Sequence, residues 1–144
     1  MKYTVEIDIN KPIDEIVELF NNTEHYFKWM QGLQSIEPLS GELGAVGSKS
    51  VYKFKMDKRE IEMTETIIEN NLPEAFITSY EAKGVYNIVS NGFKKIDEQN
   101  TKYISKQEFR FKGFMKIIGF LMPGSFKKQS MTYLKAFKQF AENQ

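Results

Sequence analysis

The sequence predicts a single α+β domain in which a curved antiparallel sheet of six to seven strands packs against one long C-terminal helix. Residues 34–113 alternate between apolar and polar side chains with a period of two, which is typical of strands. Residues 125–142 carry apolar side chains at three- and four-residue spacing, which is typical of an amphipathic helix. The 144 residues contain no Pro/Gly/Ser-rich linker, so we expect 1–144 to form one domain.

The first part of the chain predicts one strand followed by two short helices. Strict alternation over 3–9 indicates a half-buried strand. The apolar residues of 13–20 repeat at helical spacing, and either Asn22 or Thr23 can cap a second helix that runs through Trp29.

Turn-forming residues divide the alternating region into six further strands. We place them at 34–40, 48–57, 59–69, 75–83, 86–96 and 102–112. Because the links between them are short, the strands are expected to form an antiparallel meander; a parallel pair needs a crossover of about a dozen residues. The face that 86–96 turns inward is left open, since neither of its faces is cleanly apolar.

Four local patterns accompany this order of elements. They are IDINKPIDEIVELF at 7–20, Trp29 at the end of the second helix, Gly44 to Gly47 before a strand, and FRFKG at 109–113. Together they resemble the helix-grip fold of the START-like (SRPBCC) superfamily, including its polyketide cyclase/dehydrase-like branch, over essentially the whole chain. The resemblance implies a hydrophobic ligand held between the sheet and the long helix. It implies no catalytic residue, because the superfamily shares no catalytic motif, although some members are enzymes.

Several classes of site are excluded by the residue types. The chain has no Cys and a single histidine, His25, so disulfides, thiolate nucleophiles and zinc–cysteine sites are impossible. The glycine-rich segment at 41–50 is no P-loop, because Ser48 separates Gly47 from Lys49. We expect no metal site and no cofactor. The chain shows neither a signal peptide nor a stretch approaching roughly 18 apolar residues, and we interpret it as cytoplasmic.

The charges are unevenly distributed along the chain. Residues 1–100 carry 11 Lys and Arg against 17 Asp and Glu, whereas 101–144 carry 9 against 2. We interpret the basic part as complementing the acidic remainder of the same domain, with contact to a membrane surface as the alternative. Nucleic-acid binding is not expected, because the basic residues do not alternate with exposed aromatics in a known motif. The oligomeric state is left open.

Ten residues are candidates for contact with a ligand, because they lie on the inward faces of strands, on the helices, or in the segment just before the long helix. They are Trp29, Phe54, Met63, Glu65, Tyr80, Gln107, Phe109, Met122, Phe126 and Leu134. Glu65, Ser105 and Gln107 are polar residues on otherwise apolar faces. Since burying an unpaired carboxylate is costly, Glu65 is expected either to anchor a ligand or to meet solvent or Arg59.

These observations favour a non-catalytic binder or carrier of a small apolar molecule, in a cavity between the sheet and the C-terminal helix. An enzyme is the alternative, namely a cyclase, dehydratase or isomerase acting on a hydrophobic ketone, with Glu65 or Tyr80 as acid or base. A third hypothesis is a module that contacts a protein partner or a membrane interface.

The segment 113–124 combines three Gly, one Pro and large apolar residues. Gly and Pro interrupt regular structure, and Met adapts its shape easily. We hypothesise that Phe114, Ile118, Leu121 and Met122 form a mobile lid at the mouth of the cavity, with a rigid kinked helix turn as the alternative.

Overall fold

The first strand pairs with the last strand, so that residues 2–9 and 101–108 lie side by side in one antiparallel sheet. The computed structural model describes all residues 1–144. Its elements are β1 (Lys2–Ile9), α1 (Ile13–Asn21), α2 (Tyr26–Trp29), β2 (Leu33–Ser40), β3 (Lys49–Met56), β4 (Arg59–Asn71), β5 (Ala75–Ala82), β6 (Val85–Asp97), β7 (Asn100–Phe111), α3 (Phe114–Leu121) and α4 (Pro123–Glu142). The strand order is β1-β7-β6-β5-β4-β3-β2, which confirms the predicted meander.

The second short helix begins with a single 3-10 turn at Thr23–His25 before it becomes α2. The Asn22 side chain accepts a 3.0 Å hydrogen bond from the backbone N–H of Glu24. This bond satisfies a donor that the start of a helix leaves unpaired. Of the two capping residues considered from the sequence, the structure therefore selects Asn22.

The pairing of β6 with β7 decides which face of β6 turns inward. Val89 lies opposite Gln107, Asn91 opposite Ser105, and Phe93 opposite Tyr103. Residues directly opposite each other in an antiparallel pair share a face. Asn91 therefore lies on the same inward face as the buried Val89 and Phe93.

The core is centred on α4, whose buried stripe comprises Ser130, Leu134, Phe137 and Ala141. The Phe137 ring is fully buried and lies within 6.4 Å, centroid to centroid, of five other aromatic rings. These belong to Phe20, Trp29, Phe93, Tyr103 and Phe140. The predicted C-terminal helix is confirmed, although it begins at Pro123, a residue well suited to the first helical position.

The segment before α4 forms a helix of its own. α3 ends at Leu121 and α4 begins at Pro123, so the break expected at the proline is present. On its inner side, Gly119 is buried against the ring of Phe111, a contact that leaves no space for a β-carbon. No helix of the structure combines the length and the apolar character that crossing a bilayer requires.

Candidate ligand-binding cavity

A cavity of about 140 Å³ lies between the inward face of the sheet, α2 and α4. Ten of its 14 lining residues are apolar or aromatic. Six of the 14 lining residues are candidates named from the sequence, namely Trp29, Phe54, Met63, Tyr80, Gln107 and Leu134. The other eight are Met30, Tyr52, Val89, Asn91, Tyr103, Ser105, Ser130 and Tyr133. Aromatic walls with a few polar groups are the usual lining of a small-molecule site.

Two of the other sequence candidates lie in a separate aromatic cluster. Phe109 packs against Tyr3 and Phe126, with centroids 6.0 Å and 5.1 Å away. The Tyr3 hydroxyl donates to the Phe126 carbonyl oxygen and lies 2.7 Å from Ser130 Oγ. This packing occupies the space beside β1, and neither Phe109 nor Phe126 is among the residues that line the cavity.

The remaining two candidates, Met122 and Glu65, also lie outside the cavity lining. Met122 is half exposed at the junction of α3 and α4. No residue of 113–124 borders the cavity, because α3 packs instead against Phe111. The lid hypothesis is therefore wrong about where this segment lies, whereas its mobility stays a prediction.

Glu65 is buried behind the cavity wall, in the middle of β4. Tyr80 donates a 2.7 Å hydrogen bond to Oε2 of Glu65, and Tyr52 donates a 3.0 Å bond to Oε1. Both tyrosines line the cavity, so each presents its ring to the cavity and commits its hydroxyl to the carboxylate. The partners of Glu65 are thus two phenols, and neither solvent nor Arg59.

The acid–base properties of this cluster follow from its burial. Burial raises the pKa of Glu65 above its ordinary value of 4.5, and the two tyrosine hydrogen bonds offset only part of that rise. Burial and the neighbouring Glu65 carboxylate raise the pKa values of Tyr80 and Tyr52 well above 10. Both phenols therefore remain protonated near neutral pH and act as hydrogen-bond donors, not as bases.

Polar groups on β6 and β7 form a short chain along another wall. Asn87 Nδ2 donates to Gln107 Oε1 over 3.1 Å, and Gln107 Nε2 donates to Ser105 Oγ over 2.8 Å. Ser105 is fully buried and lines the cavity. These bonds leave the Ser105 hydroxyl proton available to a further acceptor.

Two residues of the lining carry buried polar atoms that have no hydrogen-bond partner in the protein. These atoms are Trp29 Nε1, a donor, and Asn91 Oδ1, an acceptor. A third unpartnered atom, Thr78 Oγ1, belongs to a residue outside the lining. A buried polar atom without a partner costs free energy, and two such atoms, one a donor and one an acceptor, belong to residues of the cavity lining.

The structure contains no cluster of side chains suited to bind a metal ion. No group of three or more His, Asp or Glu side chains is placed to hold an ion. His25 lies outside the cavity, with Nδ1 3.2 Å from the Leu19 carbonyl oxygen and its ring 5.2 Å from that of Phe140. The histidine thus links α1 to α4 and takes no part in the cavity.

Sequence reasoning missed Asn91 as a site residue because the inward face of β6 was undecided. The feature that identifies Asn91 is the strand register, which places it opposite Ser105, a polar residue on an otherwise apolar face. That register depends on strand pairing. The contributions of Ser130 and Tyr133 were missed for a different reason, since the helical stripe predicts burial without distinguishing a cavity wall from filled core.

Comparison with known proteins identifies the fold. No family model matches the chain, and no curated protein matches its sequence. A conserved protein from Geobacillus kaustophilus has the same fold with a TM-score of 0.80 at 16% identity, over 99% of this chain and 96% of that one. An aromatase/cyclase from Streptomyces gives 0.79 at 12% identity, over 99% and 93%.

Norcoclaurine synthase from Thalictrum flavum is also similar, with a TM-score of 0.76 at 14% identity over 97% of this chain and 92% of that one. The predicted helix-grip fold, and with it the resemblance to START-like proteins, is therefore confirmed at the level of the fold. At identities this low, the likeness establishes the fold alone, because one fold hosts many functions.

Proposed function

We propose that this protein binds a small, mainly apolar molecule in the cavity between the sheet and α4. One observation carries the proposal: a largely apolar cavity is lined by two residues with unpartnered buried polar atoms, Trp29 Nε1 and Asn91 Oδ1. A packed core would have no reason to retain both a void and two unsatisfied groups. The enzymes and other proteins with this fold are consistent with a small-molecule site but do not identify its ligand.

The volume limits the size of the ligand. A cavity of about 140 Å³ is close to an engineered apolar cavity of about 150 Å³ that binds benzene. It is smaller than the roughly 300–1,000 Å³ of pockets for drug-sized molecules. The enclosed part of the ligand is therefore about one aromatic ring, and the flexible Met30 and Met63 side chains at the wall allow limited expansion.

The polar atoms define which functional groups the ligand carries. Trp29 Nε1 donates to a ligand oxygen, and Asn91 Oδ1 accepts from a hydroxyl or an N–H group. A phenol or a small alcohol satisfies either atom, whereas a hydrocarbon satisfies neither. We therefore expect p-cresol to bind more tightly than toluene, which has nearly the same shape without the hydroxyl.

Trp29 provides the measurement, because it is the only tryptophan of the chain and lines the cavity. Titration with p-cresol should change its fluorescence saturably. Ser105→Leu, which fills the cavity, should abolish that change. Ser90→Leu is the matched control, since Ser90 lies on the outward face of the neighbouring strand. Circular dichroism establishes that both variants are folded.

The natural ligand is to be sought by native mass spectrometry of the protein purified from its own cell. A retained small mass that is absent from Ser105→Leu would support the proposal. If neither p-cresol nor toluene changes the fluorescence of Trp29, and the purified protein retains no small molecule, the cavity does not serve as a binding site.

A second candidate function, an enzyme acting on a hydrophobic ketone, is favoured by the cluster of Tyr52, Glu65 and Tyr80. When Glu65 is protonated, its hydroxyl can donate to one tyrosine oxygen, and that tyrosine can then donate its own proton to a ligand carbonyl in the cavity. Glu65 would act through Tyr80, because it does not border the cavity itself. Glu65→Gln should retain ligand affinity and lose turnover, and unchanged turnover would exclude this role.

A further inference from the structure

α3 exposes a row of large apolar side chains that nothing in the protein covers. Phe120 is 84% exposed and Phe114 71% exposed. Ile117 and Leu121 in the helix, and Met122 directly after it, are also at least half exposed. Spacings of three and four residues place Phe114, Ile117 and Leu121 on one face of α3, next to Phe120. Soluble proteins rarely expose contiguous apolar surface of this kind unless it serves an interaction.

The opposite face of α3 already holds the helix on the domain. Gly119 is buried against the ring of Phe111, and Met115 lies over Gly84 in the turn between β5 and β6. The exposed row therefore faces away from the domain on a regular helix, and its side chains are not part of the hydrophobic core. It also lies outside the cavity, so it is a separate feature of the molecule.

Along the chain, the charges next to this row are of one sign. No Asp or Glu occurs anywhere between Glu108 and Glu142. Four lysines flank the row at the start of α3, within it, and in the second turn of α4, namely Lys112, Lys116, Lys127 and Lys128. All four are exposed, and none forms an ion pair with a carboxylate of the protein.

We infer that α3 docks onto an anionic lipid surface. Its apolar side chains would enter the boundary between headgroups and acyl chains, while the flanking lysines contact lipid phosphates and carboxylates. An interfacial helix of this kind combines large apolar residues on one side with lysines at its border. Anionic lipids attract such clustered basic residues at close range, and the long lysine side chains can reach the headgroup level.

A second copy of the chain fits this surface less well. Symmetric pairing through α3 would bring Lys116 and its neighbours of one copy against the same lysines of the other, and like charges across an interface disfavour association. A lipid surface has no such cost, because it supplies the negative charge that this part of the protein lacks.

Insertion can be observed directly with a Phe120→Trp variant. Trp29 is buried, so a new tryptophan at the exposed position 120 dominates any change caused by lipid. Vesicles of equimolar phosphatidylcholine and phosphatidylserine should shift its emission to shorter wavelength, and lipids with brominated acyl chains should quench it. Vesicles of phosphatidylcholine alone should bind about tenfold or more weakly, and added salt should release the protein.

The apolar contribution is tested by vesicle flotation of the double variant Phe120→Ser with Leu121→Ser. Binding to the anionic vesicles should fall by about tenfold or more. Leu39→Ser with Val46→Ser is the matched control, since both residues are exposed far from α3 in the sequence, in β2 and the loop after it. Unchanged melting temperatures show that both double variants are folded.

The basic contribution is tested by Lys127→Glu with Lys128→Glu, which should weaken binding comparably. Lys55→Glu with Lys94→Glu makes the same change in net charge elsewhere on the surface and should leave most of the binding intact. An equal loss of vesicle binding in the two double variants would indicate that net charge alone attracts the protein to the vesicles. That result would contradict the inference that α3 is the docking surface. The inference would also be overturned by absence of binding at low salt, or by a concentration-dependent dimer that Phe120→Ser dissociates.

Discussion

The Tyr80 hydroxyl lies 2.7 Å from Glu65 Oε2, and Tyr52 holds the other carboxylate oxygen at 3.0 Å. Three strands bring these groups together, since Tyr52 lies in β3, Glu65 in β4 and Tyr80 in β5. The arrangement supplies two donors to a buried carboxylate but no cation. Its stability should therefore depend on whether the carboxylate carries a charge.

The first prediction concerns Glu65→Gln and pH. Because burial raises the folded-state pKa of Glu65, the folded protein holds this proton more tightly than the unfolded chain. The stability that this proton contributes to the folded state is fully present below the ordinary pKa of 4.5. It is lost as the pH rises through the raised pKa of the folded protein. The free energy of unfolding of Glu65→Gln should therefore improve relative to the unmodified protein as pH is raised from 4.5.

Urea unfolding across this pH range measures the effect. Glu62→Gln is the control, because Glu62 is exposed on the opposite face of the same strand. If the stability of Glu65→Gln and that of the unmodified protein change in parallel with pH, folding does not shift the pKa of the Glu65 carboxyl.

The second prediction concerns charge on the buried stripe of α4. Leu134 is 2% exposed and lies between the core and the cavity. Leu134→Asp should unfold the domain or cost about 4 kcal/mol or more, because it buries a carboxylate that has no partner there. Lys135→Asp, one residue further on the exposed side of the helix, should change the stability by roughly 0.5 kcal/mol or less. A normal melting temperature for Leu134→Asp would remove Leu134 from the core.

The third prediction concerns the aromatic centre of the core. Phe137→Ala removes a fully buried ring that packs against five others. It should lower the free energy of unfolding by about 3–5 kcal/mol. Phe27→Ala removes a half-exposed ring and should cost far less. Chemical denaturation compares the two, and similar losses would mean that Phe137 is not central to the fold.

The fourth prediction follows from the proposed cavity ligand. Hydrogen exchange should slow in α2 and in α4 around Ser130–Leu134 when p-cresol binds, because these segments line the cavity. Residues 113–124 should exchange at the same rate with and without it, since none of them borders the cavity. Slower exchange in 113–124 on ligand binding would restore the hypothesis that this segment is a lid.

Much of the architecture was predictable because it is encoded between close neighbours in the chain. The alternation of Val5, Ile7 and Ile9 defines a strand face without reference to any partner. The stripe that includes Leu134 and Phe137 likewise defines the buried side of a helix. Segments of this kind were placed within two residues of their observed bounds, with the long helix starting at Pro123.

By itself, the sequence determined the order of strands and helices, the resemblance of this order to the helix-grip fold, and the unusual polar character of Glu65, Ser105 and Gln107 on apolar faces. Only the tertiary structure decided that Tyr52 and Tyr80 bind Glu65, that Asn91 faces the cavity, and that α3 turns its apolar side outward. The physical reason is that local periodicity depends on residues three or four positions apart, whereas partners and cavities depend on the register between strands and on the packing of helices against the sheet.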